Sequence, residues 1–261
     1  MLRLAILGVN RRRNHRLRIG LRTGVAGGDV WADAAFGPIH RVPIRVPAED
    51  AAAETPPSTA PLHRYVSLFT ARAGATLVSD GLAEYEANER GEILVTLLRG
   101  VGALSRNDLP ERPGHAGWPA RVPKAQSLGP FTARLALLLH GPRDPDTIDA
   151  IESAADDALL PLEGRTIRSP ETLPPPSLGV ELRGTGLAFA TLKESEDGEW
   201  MVARCVNLLD TAVDGSWRFG LSIREAYTAR LDETLGEPIA IDGDTIAFHA
   251  EPRAIVTMLI R

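Results

Sequence analysis

The chain has 261 residues, of which 44% are hydrophobic and 24% are charged, as is typical of a globular protein with a buried core. Its net charge of −5 disfavours a nucleic-acid binder, because phosphate binding usually requires an excess of lysine and arginine. The single cysteine, Cys205, excludes an internal disulfide and a cysteine zinc cluster, so we expect a protein of the reducing cytoplasm. No apolar run approaches the roughly 20 residues of a membrane span, so no membrane partner is expected.

The composition favours an all-β protein, because 24 glycines and 20 prolines suit short strands separated by turns. Leu2, Leu4 and Ile6 predict a first strand. Residues His15–Arg22 alternate between apolar and arginine side chains, which predicts a second, half-buried strand. The polar segment Asn10–Asn14 lies between them, so the first 22 residues are interpreted as a β-hairpin.

Further strands are predicted wherever apolar residues alternate or run together in the first half of the chain. These are Val30–Phe36, Ile39–Val46, His63–Thr70, Ala75–Ser79, Ile93–Leu98 and Phe131–His140. Ile93–Leu98 is apolar on both faces, which predicts a central strand covered twice. Periodicity alone leaves a helix open for Phe131–His140. Glu49–Pro61 and the proline-rich Arg106–Pro130 are predicted loops.

One helix is predicted, with Asp144 as its cap, Pro145 at its first position and Pro161 ending it. The proline-rich segment Ser169–Ser177 predicts an extended linker between domains. Asp242–Asp244, with glycine at its centre, predicts a tight turn. Strands are predicted after the linker at Gly186–Lys193, Trp200–Asn207, Trp217–Ile223, Ile239–Ile241, Thr245–Phe248 and Ala254–Ile260.

The motifs of common catalytic sites are missing from the sequence. The six histidines stand singly, without the spacing of a zinc site. No nucleophile-elbow, dinucleotide or phosphate-loop motif occurs. Glu84 and Glu86 would share one face of a strand, and a solvated face is favoured over a catalytic carboxylate pair.

The first 28 residues contain seven arginines and no acid. Such a ribbon could bind phosphate or an acidic partner. We favour a structural role over a binding role. In that case Arg16, Arg18 and Arg22 are solvated or paired with acids of a neighbouring domain. The four tryptophans are scattered, so no sugar-stacking platform is predicted.

Five strings, read in order, resemble one known family. They are Asn14–Arg18, Asp80–Glu86, Ile93–Gly102, Gln126–His140 and Arg204–Leu208. In this order the chain resembles the C-terminal β-sandwich region of glycoside hydrolase family 38, the α-mannosidases, and especially the bacterial branch that includes mannosylglycerate hydrolase. The resemblance implies a large antiparallel β-sandwich over residues 1–168, the linker 169–177 and a smaller β-sandwich over residues 178–261, with one short helix before the linker.

The resemblance also implies that the catalytic machinery lies outside these residues. Members of the family carry the zinc and the aspartate nucleophile in an N-terminal barrel-like domain, so no catalytic, cofactor or metal residue is assigned here. The family's sandwich approaches the active-site cleft, which makes His15, Arg16, Asp80 and Arg99 candidate substrate contacts. Animal-type members carry an Arg-Arg pair near Asp80-Gly81, and this chain does not.

The first functional hypothesis is therefore a non-catalytic sandwich of a retaining α-mannosidase-type hydrolase, inactive alone. Its expected partner is a missing or separately encoded catalytic domain, with a mannose-containing substrate bound only in its presence. The alternative is a free-standing module that binds carbohydrate or protein, and the third hypothesis is a glycosidase with its own carboxylate pair. Because Met1 would fall inside a sandwich, either an unpaired strand edge or an uncovered apolar face at Leu4 and Ile6 is expected, and either would favour a homodimer or a bound partner.

Overall fold

The computed structural model describes residues 1–42, 47, 49, 54–109, 111–114, 117–161 and 179–261. These residues form antiparallel strands and one helix, which confirms the predicted all-β class. The chain divides into two compact units. Unit 1 contains residues 1–143 and 154–159, and unit 2 contains residues 144–153 and 160–261. The predicted linker 169–177 lies outside the described residues, and the predicted domain bounds stay a prediction.

Unit 1 is built on a six-stranded sheet and a four-stranded sheet, accompanied by two short two-stranded ladders. Its strands are β1 (Leu2–Asn10), β2 (Arg16–Arg22), β3 (Asp29–Ala32), β4 (Ile39–His40), β5 (Ala60–Pro61), β6 (Tyr65–Phe69), β7 (Gly74–Ser79), β8 (Glu84–Ala87), β9 (Glu92–Arg99), β10 (Ala103–Leu104), β11 (Asp108–Leu109), β12 (Arg112–Pro113), β13 (Ala120–Arg121) and β14 (Gly129–His140). The strand orders are β1-β14-β7-β6-β3-β4 and β2-β9-β8-β5. Buried side chains from both sheets, such as Leu77 and Val95, share one core, so the two sheets form a β-sandwich.

The predicted hairpin of the first 22 residues is wrong. Strand β1 pairs with β14, while β2 pairs with β9 in the other sheet. Alternation fixes which side chains face the core, but it does not identify the partner strand. Leu4 and Ile6 pack against the core of unit 1, which corrects the expectation of an uncovered apolar face. Strand β1 is nevertheless an edge strand, and Leu7 and Val9 on its outer face are exposed.

The apolar segment Ile93–Leu98 forms most of β9, an interior strand of the four-stranded sheet. Ile93, Val95 and Leu98 are buried, whereas Leu94 and Leu97 are half-buried, so the predicted double cover is incomplete. Residues 131–140 belong to strand β14, which resolves the helix alternative left open by their periodicity.

The predicted loops contain short strands. Ala60–Pro61, at the end of the predicted loop Glu49–Pro61, pairs with β8 as β5, and residues 50–53 lie outside the described set. The segment Arg106–Pro130 contains three two-residue strands, and β14 begins before its end. In the predicted strand Ile39–Val46, only Ile39 and His40 form a described strand, and residues 43–46 are not described.

Unit 2 is a smaller arrangement of a three-stranded and a five-stranded sheet. Its strands are β15 (Val180–Arg183), β16 (Leu187–Glu194), β17 (Met201–Asn207), β18 (Val213–Phe219), β19 (Ala226–Ala229), β20 (Leu235–Pro238), β21 (Thr245–Ala250) and β22 (Ile255–Ile260). The strand orders are β15-β18-β21 and β16-β17-β22-β19-β20. Trp217, Ile246 and Met258 lie at the centre of its core, where the Trp217 ring stacks on Phe219.

Two of the strands predicted in unit 2 differ from the structure. The predicted strand Trp217–Ile223 is displaced, because β18 begins at Val213 and ends at Phe219. Ile239–Ile241 forms no strand, and the neighbouring edge strand is β20, whose side chains are all exposed. Such an edge strand has no buried face, so its sequence lacks apolar alternation. The turn at Asp242–Asp244 is confirmed, with Gly243 at φ +64°.

The predicted helix is present as α1 (Pro145–Leu159), and its cap is confirmed. The Thr147 amide donates a hydrogen bond of 2.7 Å to Oδ1 of Asp144, which satisfies one of the free amides of the first turn. Within unit 2, Ile148 of this helix packs against Leu208 and Leu209.

In the described ranges, no helix is long and apolar enough to cross a membrane.

Candidate functional site

Three of the four candidate contact residues lie together at one end of the four-stranded sheet of unit 1. His15 precedes β2, and its carbonyl accepts a hydrogen bond of 2.8 Å from the amide of Gly100. Arg16 is the register partner of Arg99, the last residue of β9. Asp80 follows β7 in the other sheet and does not join this group.

Glu84 connects the two arginines of this group. Its Oε1 lies 3.2 Å from Nη1 of Arg16, and its Oε2 lies 3.9 Å from Nη1 of Arg99. The hydroxyl of Thr96 donates a further hydrogen bond of 2.6 Å to Oε1 of Glu84. The carboxylate is therefore held by cations and a hydroxyl and is not paired with a second carboxylate.

The arginine face of β2 continues this pattern along the sheet. Arg18 forms an ion pair with Glu86, and Nε of Arg22 lies 3.8 Å from Oε1 of Glu92. Their partners lie on β8 and β9 of the same sheet, which corrects the expectation of a neighbouring domain, while the side chain of Arg22 is 91% exposed, in line with the expected solvated face. Opposite charges placed side by side on one sheet face stabilise the pairing of its strands.

His15 has an unusual environment for a histidine at a strand end. Its Nδ1 atom is buried and has no hydrogen-bond partner within the described part of the chain. Buried ring nitrogens normally have a partner, so the unpaired Nδ1 marks an incomplete hydrogen-bond environment at this end of the sheet.

A cavity of about 570 Å³ adjoins this end of the sheet. It is lined by Arg13, Arg106 and Arg121, together with Asn14 and Gln126. Its charge is basic, because the described lining contains no acidic side chain. We call this feature the arginine cavity.

Asn14 and Gln126 form a rigid side of the arginine cavity. The Asn14 amide donates to Oε1 of Gln126, and Nε2 of Gln126 donates to Oδ1 of Asn14, both at 2.8 Å. Nδ2 of Asn10 donates to the carbonyl of Gln126 at 3.2 Å. A Cβ at Gly102 would lie 2.7 Å from Oδ1 of Asn14, so a larger residue here would displace the paired side chains of Asn14 and Gln126.

The arginines of the cavity differ in their partners. Nε of Arg106 donates a hydrogen bond of 2.8 Å to Asp108, and this bond lowers the pKa of the carboxyl. Among the residues that the structure describes, Arg13 and Arg121 form no ion pair. Uncompensated guanidinium groups attract carboxylates and phosphates, so the cavity favours an acidic ligand or partner.

The arginine cavity is partly formed by the segment predicted as the loop Arg106–Pro130. Trp118 in that segment is 91% exposed, the most exposed large hydrophobic side chain of the described chain. The sequence predicts the loop but not the cavity, because the lining residues come from separate segments and form no motif.

Asp80 lies at a second, smaller cavity of unit 1, about 180 Å³ in volume. Its carboxylate lies 3.6 Å from Nη1 of Arg134, and its amide donates to the carbonyl of the same residue at 3.2 Å. The remaining lining is mostly apolar, with Val78, Leu135 and Leu159. Asp80 is therefore paired with an arginine of its own unit.

The described residues do not fit a catalytic zinc ion. Over those ranges, no three histidine, cysteine, aspartate or glutamate side chains come together as a ligand group. Cys205 is buried in unit 2, and burial raises the pKa of its thiol to about 12. A thiol with that pKa stays protonated at neutral pH and is a poor metal ligand or nucleophile.

The comparisons with known proteins place the chain near one group of hydrolases. Residues 186–258 match the family model of the glycosyl hydrolases family 38 C-terminal beta sandwich domain. A comparison with curated protein sequences gives no match. The family match confirms the resemblance for residues 186–258, and the structures described next show the fold that the resemblance implied.

Two solved structures share the fold along the chain. An alpha-mannosidase from Enterococcus faecalis V583 is similar with a TM-score of 0.76 and 24% identity, over 98% of this chain and 27% of that protein. A protein in the glycosyl hydrolase family 38 from Enterococcus faecalis is similar with a TM-score of 0.74 and 24% identity, over 98% of this chain and 28% of that one. The chain thus spans about a quarter of the length of the solved proteins that it resembles.

Proposed function

We propose that this chain is the C-terminal β-sandwich portion of an α-mannosidase-type glycoside hydrolase and contributes no catalytic residue. The observation that carries the proposal is the family match in unit 2, together with the fold shared along the whole chain. Glu84, a candidate catalytic carboxylate, forms ion pairs with Arg16 and Arg99, which supports a structural role for it. The zinc and the nucleophile are assigned to a catalytic region beyond these 261 residues, on the same polypeptide or on a separate one.

The proposed contact surface for that catalytic region is the end of the four-stranded sheet that bears the arginine cavity. Three features support it: the arginines without acidic partners, the unpartnered Nδ1 of His15 and the exposed ring of Trp118. Arginine and tryptophan are enriched at the centres of protein interfaces. The predicted substrate contacts His15, Arg16 and Arg99 border the same surface, whereas Asp80 does not.

The experiment is an assay of the purified 261-residue chain for hydrolysis of an aryl α-mannoside, with and without added zinc. The intact Enterococcus faecalis α-mannosidase serves as the positive control. We expect no turnover by the chain at enzyme concentrations thousands of times those that suffice for the control. Turnover that disappears in Glu84→Gln would overturn the proposal and favour a glycosidase with its own carboxylates.

A free-standing carbohydrate-binding module is the second candidate, and the exposed Trp118 favours it. Aromatic rings can pack against the apolar face of a sugar. Among the described tryptophans, Trp118 is the one whose ring is largely exposed. Trp31 stacks on His40, Trp200 packs edge-on against Tyr227, and Trp217 is buried.

Calorimetric titration with mannose and α-mannobiose separates the two candidates. If the chain contacts sugar only together with a catalytic region, the isolated chain should show no saturable binding of either sugar. Saturable binding that is lost in Trp118→Ala and retained in Trp31→Phe would favour the free-standing module instead.

The proposed compartment is the cytoplasm. The single thiol is buried and held protonated, so the fold needs no oxidising environment and offers no exposed cysteine to oxidation. Secretion of the native protein from its host would contradict this assignment.

A further inference from the structure

The backbone around the arginine cavity is fixed by hydrogen bonds between separate segments of unit 1. The Val122 amide donates a hydrogen bond of 3.0 Å to the carbonyl of Gly102. Ala103 is the register partner of Arg121 in the ladder formed by β10 and β13. Since Gly102 and Ala103 also line the cavity, the backbone of Arg121 is held beside one of its walls.

The connection between β1 and β2 carries Arg13 and is anchored on both sides of it. Before Arg13, Nδ2 of Asn10 donates to the carbonyl of Gln126. After it, the amide and the side chain of Asn14 form two hydrogen bonds with the side chain of Gln126. The backbone of Arg13 is therefore ordered before any ligand binds, which lowers the entropic cost of binding.

The three arginines of the cavity can be reached from solvent. Arg13, Arg106 and Arg121 are all exposed residues. The side chain of Arg106 keeps 50% of its surface exposed although it forms an ion pair with Asp108. A ligand can therefore contact these guanidinium groups without displacing the core.

The charge of the cavity indicates the charge of its ligand. Asp108 accepts hydrogen bonds from Nε and Nη2 of Arg106 and so compensates that arginine. Arg13 and Arg121 form no ion pair within the described ranges, which leaves two positive charges uncompensated. A phosphate group in a monoester carries about −1.5 to −2 charges near pH 7 and offers three acceptor oxygens. Its charge thus matches that of the cavity.

Water hydrates the exposed guanidinium groups of the free protein, so a ligand must replace those contacts. A single exposed ion pair contributes little to binding. Two arginines that line one cavity from anchored segments can contact one anion together, and each guanidinium can donate two parallel hydrogen bonds to a phosphate. A doubly charged anion therefore gains more from this cavity than a singly charged one.

Acidic side chains of the chain itself are the alternative occupants. The described lining contains none. Pro110, His115 and Ala116, the residues of the segment 106–130 that the structure does not describe, carry no negative charge at neutral pH. Three acids elsewhere lie outside the described ranges, and the experiment includes them: Asp50, Glu163 and Glu171.

We propose that the arginine cavity binds a doubly charged oxyanion, either free phosphate or the phosphate group of a small molecule. Arg13 and Arg121 donate hydrogen bonds to its oxygens, and Ala103 and Pro123 line the space beside it. The site lies on the surface proposed to contact a catalytic region. The proposal does not rest on that contact, because the 261-residue chain supplies all of these lining residues.

The test is titration of the purified chain with inorganic phosphate, phenyl phosphate and acetate, followed by calorimetry and amide chemical shifts at pH 7.5. Salt at 150 mM screens charges farther away than about 8 Å, which suppresses diffuse attraction by other arginines. We expect saturable phosphate binding at about 1 mM or below, with acetate bound at least tenfold more weakly. Tighter binding of phenyl phosphate would identify a phosphorylated small molecule as the ligand, and equal binding would identify free phosphate.

Two outcomes of this titration would overturn the proposal. The first is the absence of saturable binding of both phosphates at 20 mM. The second is acetate binding as tight as that of phosphate, which would show that the cavity does not select a doubly charged anion. Neither outcome depends on α-mannoside turnover, so a failure of this proposal and a failure of the proposed function are separate observations.

Single variants locate the site. Arg13→Gln and Arg121→Gln should each weaken phosphate binding at least fivefold. The matched control is Arg72→Gln, which removes another exposed arginine of unit 1 and should leave the dissociation constant unchanged. All three variants should keep the thermal midpoint of the ligand-free parent, because the side chains are exposed. Unchanged phosphate binding in both cavity variants would show that phosphate binds elsewhere and would refute the assignment.

A triple variant tests the acids outside the described ranges. It combines Asp50→Asn, Glu163→Gln and Glu171→Gln. We expect it to bind phosphate as tightly as the parent, within a factor of two. Binding at least tenfold tighter would show that an acid of the chain already occupies the arginines, and it would overturn the proposal.

Discussion

The two units share an antiparallel architecture but differ in how their buried polar groups are used. In unit 2, Nδ2 of the fully buried Asn207 donates to three backbone carbonyls, and its Oδ1 accepts from the Leu209 amide. Among the described residues of unit 2, the indole N–H of Trp217 is the one buried side-chain polar atom without a geometric hydrogen-bond partner, and its interaction with Cys205 partly opposes the rise in the pKa of that thiol. In unit 1, Tyr85, Arg41 and His15 instead keep buried polar atoms without a partner among the described residues.

This difference indicates that a binding surface is to be sought in unit 1, since the chain has no catalytic motif. Unit 2 uses its buried polar groups to hold strands and turns together, and the family match falls on this unit. Unit 1 carries the arginine cavity, the smaller cavity at Asp80 and a cavity of about 300 Å³ lined by Val30 and Ala87. The predictions below test the difference, starting with the largest expected effect.

The first prediction concerns the core of unit 2. Trp217→Ala removes a fully buried ring that packs against Phe219 and Phe189, and should destabilise unit 2 by about 3–5 kcal/mol. Urea unfolding followed by far-ultraviolet circular dichroism measures the loss. The matched control Trp118→Ala removes the same side chain from an exposed site and should change stability by less than about 0.5 kcal/mol. Equal effects at the two sites would contradict the assigned burial.

The second prediction compares one asparagine in each unit. Asn207→Ala leaves several buried backbone groups without a partner and should cost about 3 kcal/mol. Asn10→Ala removes two donated bonds and one accepted bond at the border of the arginine cavity, where water can replace them, and should cost about 1–2 kcal/mol. Urea unfolding of both variants gives the comparison. A larger loss for Asn10 would reverse the proposed roles of the two units.

The third prediction concerns the ion pairs on the arginine face of β2. A double-mutant cycle of Arg18→Ala and Glu86→Ala should give a coupling energy of about 0.5–1 kcal/mol, since both side chains are partly exposed. The coupling should shrink between 50 mM and 1 M salt because of screening. A coupling energy of zero at low salt would show that the pair does not stabilise the sheet.

The smallest effect is a pH dependence at the edge of unit 2. Nδ1 of His249 lies 2.7 Å from Oδ1 of Asp214, and this hydrogen bond raises the pKa of the imidazole above its ordinary value of 6.5. The folded state therefore favours the protonated histidine. The resulting stabilisation is complete below pH 6.5 and is lost as the pH rises through the higher pKa of the folded state.

Thermal unfolding of the parent chain and of His249→Gln from pH 5 to pH 9 measures this dependence. The difference between their midpoints should be largest at the acidic end and should narrow with increasing pH. His63→Gln, in unit 1, serves as a comparison for the loss of a histidine elsewhere. A difference that grows toward pH 9 would contradict the direction of the shift.

The sequence predicted local features of the fold well. The alternation of His15–Arg22, the apolar run at 131–140 and the Asp144 cap each depend on neighbouring residues, and each is found in the structure. The hairpin failed because strand pairing is a long-range property: Leu2 pairs with Leu137, far along the chain. Alternation carries no information about that partner.

The candidate sites show the same limit. His15, Arg16 and Arg99 were singled out through the family resemblance, and the structure brings them together. The arginine cavity gave no sequence signal, because Arg13, Arg106 and Gln126 come from separate segments and carry no motif. The group of arginines that lines it becomes visible only when the surrounding side chains are placed.

The central claim is that these 261 residues form a sandwich without the metal chemistry of an α-mannosidase. The most direct measurement is the zinc content of the purified chain after dialysis, by inductively coupled plasma mass spectrometry. We predict far less than one zinc ion per chain, with no change in thermal stability when a chelator is added. One zinc ion per chain, bound with a loss of stability on chelation, would contradict the account.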